Sequence, residues 1–307
     1  MKKIWSIFLV SIMTMTIIAS CSNDNTAKTG DNTNSPAKNS ESNFDASSTI
    51  NVATREDGSG TREAFTEIVG ILEKGENGNE TDRTYTEAVV QNSTNAVMTT
   101  VTGDEYSIGY ISLGSLNDTV KALKIEGAEA TAENVQNNSY KISRPFNIAY
   151  KGKLNTLSED FLNFILSTEG QEIVLKEGYV QIGNDLTAYE ANGEQEGNLV
   201  VAGSTSVTPV MEKLVEAYQE IHSGVSIEIQ STGSSAGMQS TMEGTADLGM
   251  ASRELKESEL AELTSEVIAQ DGIAVIVNNS NPTEDLTLED VKSIYTGETT
   301  EWNAMVK

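Results

Sequence analysis

The sequence runs to 307 residues, enough for two compact lobes once an export signal is removed. It is 37% hydrophobic and 21% charged, and its formal net charge is −26. That charge argues against a nucleic-acid partner, which needs a basic footprint. It also means that any bound anion must be held by local geometry, because the field of the whole chain repels it.

The N-terminus carries Lys2 and Lys3, an apolar run from Ile4 to Ile18, then Ala19-Ser20-Cys21. A basic start, a short apolar core and small residues before a cut site predict a secretory signal over residues 1–20. The stretch "IIASC" resembles a bacterial lipobox, with Ile18 where Leu is commoner, and implies that Cys21 becomes a lipidated N-terminus. A plain signal peptide or a short membrane span are the alternatives, although a span usually needs ~20 apolar residues. Cys21 is the sole cysteine, so no intrachain disulfide is possible. Residues 21–47 are polar and nearly free of aliphatics, which predicts a disordered tether.

Ordered structure is expected from Ser48. Ile50 and Val52 alternate as in a strand, and from Thr61 the period turns helical, with Phe65, Ile68, Val69 and Leu72 on one face and Gly75 beyond. "YSIGYISLGSL" and "RPFNIAYKG" read as strands. "LSEDFLNFILSTEGQEIVLKEGYV" holds two helical pieces, with Ser158 as the expected cap of the first. Residues 181–198 form a second polar stretch. "LVVAGS" is a strand, followed by a helix striped with Met211, Leu214, Val215, Tyr218 and Ile221. "VSIEIQST", "ADLGMAS" and "DGIAVIVNN" are strands, and "LTLEDVKSIYTGETTEW" is a capped helix with a turn. This alternation predicts an α/β chain with mostly parallel sheets.

Three loops occupy strand-to-helix junctions: Arg55–Thr61, Gly203–Pro209 and Gly233–Gly237. Ligands bind beyond the carboxyl ends of such strands. A helix N-terminus offers unpaired N–H groups and about half a positive charge, which holds phosphate-like anions without any Lys. Ser and Thr add hydroxyl donors, and Arg55 adds a fork for two oxygens. Taken singly, each loop reads as an ordinary N-cap or a common Gly-rich turn; the three together, with an Arg beside one of them, point to an anion.

"REDGSGTREAF", "GSTSVTPVMEKLVEAY", "STGSSAGMQ", "ADLGMASREL" and "IAQDGIAVIVNNSNP…LTLEDVKSIYTGETTEWN" together resemble the phosphate-binding lipoproteins of bacterial phosphate ABC transporters, from Ile50 to Asn303. The resemblance implies a two-lobed periplasmic-binding-protein-like type II fold. Each lobe would be a mixed, mostly parallel sheet flanked by helices, and two crossover strands would join the lobes. It implies capture of inorganic phosphate for delivery to a membrane permease, by a monomer with no cofactor. Carried over by motif, Arg55, Ser59, Gly60, Thr61, Thr205, Ser206, Ser234 and Ser252 would bind the anion, and Asp57 would hold Arg55 in place. Some members carry an acid after the serine of "MASR", where it accepts a proton from phosphate. Here Arg253 stands there, as a second anion contact or as a surface Arg paired with Glu254 or Glu257. Without that acceptor, the resemblance implies oxyanion binding but names no group that rejects sulfate.

The segment order differs from the family's. "REDGSGTR" precedes "GSTSV" here, and the family's closing segment, ending at Val180, precedes its opening one. A circularly permuted domain closed by residues 181–198 is one reading, and a piece of a tandem array or a truncated product is the other. The first predicts Lys307 near Ser48. Residues 48–147 plus 283–307 would then form one lobe and residues 148–282 the other.

Catalysis is poorly supported. His222 is the single histidine and reads as a surface residue at a helix end, which leaves no ordinary Ser–His machinery. There is no GxxxxGK[ST], no Cys/His cluster for zinc and no calcium-loop spacing. The competing readings are another oxyanion, such as sulfate or molybdate, and a lipid-anchored sensor or adhesin uncoupled from transport.

Overall fold

The computed structural model describes residues 44–75, 80–183, 185–191 and 193–305. The expected signal segment, Cys21, the tether up to residue 43 and Lys307 lie outside them. Among the described residues, no helix is long and apolar enough to cross a membrane.

The first apolar core forms around β1 (Asn51–Arg55), α1 (Gly60–Val69), the hairpin β2 (Leu72–Lys74) and β3 (Glu80–Asp82), β4 (Val89–Gln91), α2 (Thr94–Gly103) and β5 (Ser107–Ser112). The short strands β6 (Lys121–Ala122) and β7 (Lys124–Ile125) and helix α3 (Ala132–Gln136) follow. A long strand, β8 (Ser143–Lys151), leads to the second core, with α4 (Thr156–Leu166), α5 (Thr168–Lys176), β9 (Glu196–Gly203), α6 (Thr208–Ile221) and β10 (Gly224–Ser231); α7 (Ser234–Glu243), β11 (Leu248–Ala251) and α8 (Glu257–Leu260) follow, and Met238 of α7 joins Ala149, Ala251, Leu255 and Leu263 in a small third cluster. Strand β12 (Leu263–Val277) returns to the first core, which β13 (Asp285–Leu286) and α9 (Leu288–Tyr295) complete. The strand order is β10-β9-β11-β8-β12-β5-β1-β4. Strands that feed helices pair in parallel (β1 with β4 and β5, β9 with β10 and β11), whereas β8 and β12 are antiparallel to their neighbours. All six of β1, β4, β5, β9, β10 and β11 therefore point their carboxyl ends toward one cleft.

Some expectations need correction. Helix α1 stops at Val69, because Gly70 takes a left-handed φ of 79° and its N–H caps the carbonyls of Thr66 and Glu67; Leu72 already belongs to β2. Asn155, not Ser158, caps α4, its side chain accepting from Ser158 N at 2.8 Å. "DGIAVIV" is the second half of a 15-residue strand, which stops before Asn278. Helix α2 went unread, although Ser93 caps it and Val97 and Val101 are its buried stripe.

The crossings also fall elsewhere than 147/148 and 282/283. Phe146 packs in the second core and Ile142 in the first, while Ile268 and Ala269 lie in the second and Ile273–Val277 in the first. Both strands change core at one level because they pair, Arg144 opposite Asp271.

Of residues 181–198, Glu196–Asn198 are strand, and the segment is pinned rather than loose. Val180 exchanges both backbone hydrogen bonds with Gln270, at 2.9 and 2.8 Å. The Tyr189 hydroxyl donates to Asp160 Oδ2 at 2.5 Å and pairs with His222 Nε2 at 2.7 Å. His222 is therefore buried, not a surface residue. Gln195 N–H donates to its Nδ1 at 3.3 Å, which assigns the acceptor role to that nitrogen. Near the other terminus, Thr49 bridges Glu301, Ile50 N–H donates to Thr300 O at 2.8 Å, and Trp302 N–H donates to Ser48 O at 3.2 Å.

Candidate oxyanion site

Four helices begin at the cleft, two from each lobe. Ser59 caps α1 and its hydroxyl accepts from Arg62 N, while Ser93 caps α2 and accepts from Ala96 N. Helix α6 follows the Gly203–Val207 turn and carries Pro209 in its first turn, where a missing N–H costs nothing. Helix α7 follows Gly233, whose φ of 94° only glycine adopts without strain.

Between these helix ends lies a ring of hydroxyls. Thr61 and Ser206 share a hydrogen bond of 2.8 Å across the lobes, and Thr94 reaches Ser206 at 3.3 Å and Thr205 at 3.5 Å. Ser204 donates to Ser252 Oγ at 2.9 Å, and Ser252 N–H donates to Ser234 Oγ at 3.2 Å. Gly60 is indispensable to this closeness: a Cβ there would stand 2.4 Å from Ser234 Oγ and 2.8 Å from Ser252 Oγ. A hydroxyl both donates and accepts, so such a ring satisfies itself and can also turn its protons toward an anion.

Arg55 is the charged member, only 2% exposed. Its Nε and Nη2 donate to Glu56 Oε2 and Oε1 at 2.7 and 2.8 Å, and Nη2 also reaches Thr205 Oγ1 at 3.1 Å from the opposite lobe. Nη1 makes no hydrogen bond among the described residues. The orienting role expected of Asp57 thus belongs to Glu56. Asp57 is almost fully exposed and pairs with Arg62, whose own Nη1 donates to Arg55 O at 3.2 Å. Two adjacent acids follow Arg55, and the pairing just beyond β1 decides between them: Glu56 N–H still donates to Gln91 O at 3.0 Å, whereas Asp57 lies in the exposed turn.

Arg253 is not a surface residue, and all three of its guanidinium nitrogens are taken by protein groups. Buried at the end of β11, it gives Nη1 and Nη2 to Glu259 at 2.7 and 2.8 Å and pairs through Nε with Glu63 of α1 at 2.5 Å. Its only bond to Glu254 goes to the backbone carbonyl. Burial works against its charge, but Glu259 and Glu63 more than compensate and raise its pKa; Glu259 is held below its usual range by the same contact, against its own burial. Glu63 also meets Lys256 at 3.1 Å and accepts from Ser235 Oγ at 3.3 Å. Ser235 N–H donates to Gly58 O at 3.1 Å. Arg253 therefore belongs to a clasp between the lobes, beside the hydroxyl ring.

Of the eight residues expected to hold the anion, Arg55, Gly60, Thr61, Thr205, Ser206, Ser234 and Ser252 meet here, Ser59 caps α1 beside them, and Ser204 and Thr94 join them. Thr94 was missed with its helix, although "STN" ahead of Val97 and Val101 is a cap signature. Among the described residues, no group of His, Cys, Asp and Glu forms a metal site.

The family described as a PBP superfamily domain matches residues 21–169 and 188–306. The phosphate-binding protein PstS 2 of Streptococcus agalactiae serotype V is 46% identical over 308 residues, covering 99% of each chain. Its namesake in Streptococcus pneumoniae serotype 4 is 46% identical over 258 residues, 84% of this chain and 88% of that one. A crystal structure of a phosphate-binding protein of a phosphate ABC transporter from Streptococcus pneumoniae TIGR4 superimposes with a TM-score of 0.68, at 45% identity, over 84% of this chain and 99% of its own. The end-to-end match means that the S. agalactiae protein runs its segments in the order found here. By sequence along its whole length and by fold, the chain belongs to the PstS family.

Proposed function

We propose that this chain is an extracytoplasmic solute-binding lipoprotein that captures inorganic phosphate between its lobes and delivers it to the permease of an ABC importer. One observation carries the reading: Arg55 and a ring of buried hydroxyls from both lobes meet at four helix N-termini. Neutral donors and helix ends suit a dehydrated oxyanion in a chain of net charge −26, where long-range attraction is absent. The names of the relatives support phosphate as that oxyanion. The hydroxyls are paired with each other rather than with a base, which supports binding over catalysis.

Around this core stand further proposals. Cys21 carries the lipid and holds a monomer at the outer face of the cell membrane. The permuted order closes into a single domain, which the pairing of Thr49 with Glu301 supports. Another oxyanion is the second reading, favoured by one observation: Arg253 follows Ser252 where an acid would reject sulfate.

Isothermal titration of the chain from Cys21 onward, with phosphate and then sulfate, tests the ligand. Tight phosphate binding with weak sulfate binding is expected; equal affinities would move the assignment to oxyanions in general, and no binding of either would end it. Phosphate uptake by a strain lacking the protein separates transport from sensing.

A further inference from the structure

Arg144 and Asp271 face one another where the crossover strands change lobes, and their side chains are 1% and 0% exposed. Asp271 Oδ2 accepts from Arg144 Nε at 3.2 Å and Nη2 at 3.0 Å, and Oδ1 accepts from Ser112 Oγ at 3.0 Å and Leu113 N at 3.1 Å. One edge of the guanidinium is thereby used. Its third corner, Nη1, is fully enclosed and has no hydrogen-bond partner among the described residues. A buried charged donor without an acceptor is unfavourable, and an apolar pair of similar volume would serve a hinge at least as well. The pair therefore calls for a reason other than packing.

Three observations set Arg144 near the hydroxyl ring. Strand β8 lies between β12 and β11. The Nε–Nη2 edge is turned to β12, and the neighbour on the other side, β11, runs into Ser252. Tyr179 bridges the two places: its hydroxyl donates to Ser206 O at 3.5 Å, and its ring packs on Phe146, over which the Arg144 guanidinium also lies at 5.4 Å. Finally, Arg55 is near enough for its charge to oppose that of Arg144. Four of the five arginines in this acidic chain, Arg55, Arg62, Arg144 and Arg253, thus gather around one cleft.

We infer that Arg144 is a direct contact of the bound oxyanion, its Nη1 donating to an oxygen of the tetrahedral ion held by Arg55 and the hydroxyl ring. This rests on the oxyanion-binding reading above. The ion then sits between two guanidinium groups, each already matched to a carboxylate, Glu56 for Arg55 and Asp271 for Arg144. Both pairs are net neutral, so the site meets the anion with oriented donors rather than bare cations. One of the two contacts belongs to the crossover strands, so occupancy is felt where the lobes hinge.

The test is titration with inorganic phosphate of two variants. Arg144→Lys keeps a cation for Asp271 but lacks the third corner, and the double variant Arg144→Met with Asp271→Asn leaves no buried charge unpaired. Both should bind phosphate about 10- to 100-fold more weakly, the loss of one charge-assisted hydrogen bond. The ligand-free melting temperature of the double variant should stay within a few degrees of the parent's. Binding within threefold of the parent by either folded variant would overturn the assignment. If the double variant does not fold, Arg144→Lys decides alone by the same criterion. Arg55→Ala separates the two readings: if it loses phosphate while the Arg144 variants keep it, only the Arg144 contact fails. If Arg55→Ala also binds like the parent, the oxyanion site itself fails.

Discussion

Replacing Gly60 with Ala should separate the stability of this protein from its affinity. Gly60 is the first residue of α1 and needs no positive φ, so Ala suits its backbone and favours the helix by about 0.5–1 kcal/mol. The obstacle lies in the other lobe. The new methyl would stand 2.4 Å from Ser234 Oγ, 2.8 Å from Ser252 Oγ and 3.1 Å from Ser234 Cβ, well inside ordinary contact. Turning Ser234 away would relieve the first overlap but break its bond with Ser252 N–H. Overpacking of this kind costs about 1–3 kcal/mol, charged to the closed state alone. Phosphate binding should therefore weaken roughly 5- to 150-fold, while the ligand-free melting temperature stays level or rises. Calorimetric titration and a thermal melt with and without phosphate read both quantities. A Gly60→Ala protein that binds as tightly as its parent would refute the claim that the lobes close with Ser234 and Ser252 against α1.

Four further outcomes are expected. Arg55→Ala should cost about 2–4 kcal/mol of phosphate binding, and Glu56→Gln should weaken it measurably, whereas Asp57→Ala should leave it within twofold; the reverse order of the two acids in titrations would restore Asp57 as the orienting group. Glu63→Gln removes the carboxylate shared by Arg253 and Lys256 across the lobes and should weaken phosphate by about 1 kcal/mol, with a faster off-rate by stopped flow; an unchanged off-rate would remove the clasp from closure. Tyr189→Phe takes away the hydroxyl between Asp160 and His222; it should cost about 1–3 kcal/mol of stability in denaturant and speed proteolysis within residues 185–195, with phosphate affinity unchanged. Burial pushes the Asp271 carboxyl up to about 6 despite Arg144. The folded state then holds a proton that the unfolded state has lost, so the contribution of this group is full below about pH 4 and is lost as pH rises through about 6. Ligand-free melts of the parent should fall relative to the Arg144→Met, Asp271→Asn variant across that window, and parallel curves would contradict it.

How much of this was legible in the sequence follows from which forces are local. Apolar periodicity located the major strands and the striped helices, because Val52, Val201 and Met211 face a core whichever way the lobes sit. Helix ends were legible where the capping residue is the only candidate, as at Thr287, and misread where Asn155 and Ser158 compete three residues apart. The hydroxyl loops were found because Gly, Ser and Thr cluster ahead of helices. What escaped was pairing over long separations. Nothing near Arg253 in the chain announces Glu63, and nothing near His222 announces Tyr189. The choice between Glu56 and Asp57 turned on how far the pairing with β4 runs past Arg55, which adjacent acids do not reveal.

The most direct measurement is the position of the ion itself, from crystals of the chain grown with phosphate. The account predicts one phosphate enclosed between the lobes, within hydrogen-bond reach of Arg55 Nη1, of Thr205 or Ser206 and of Ser234. A phosphate bound outside that ring, or a cleft that holds none at saturating phosphate, would contradict it.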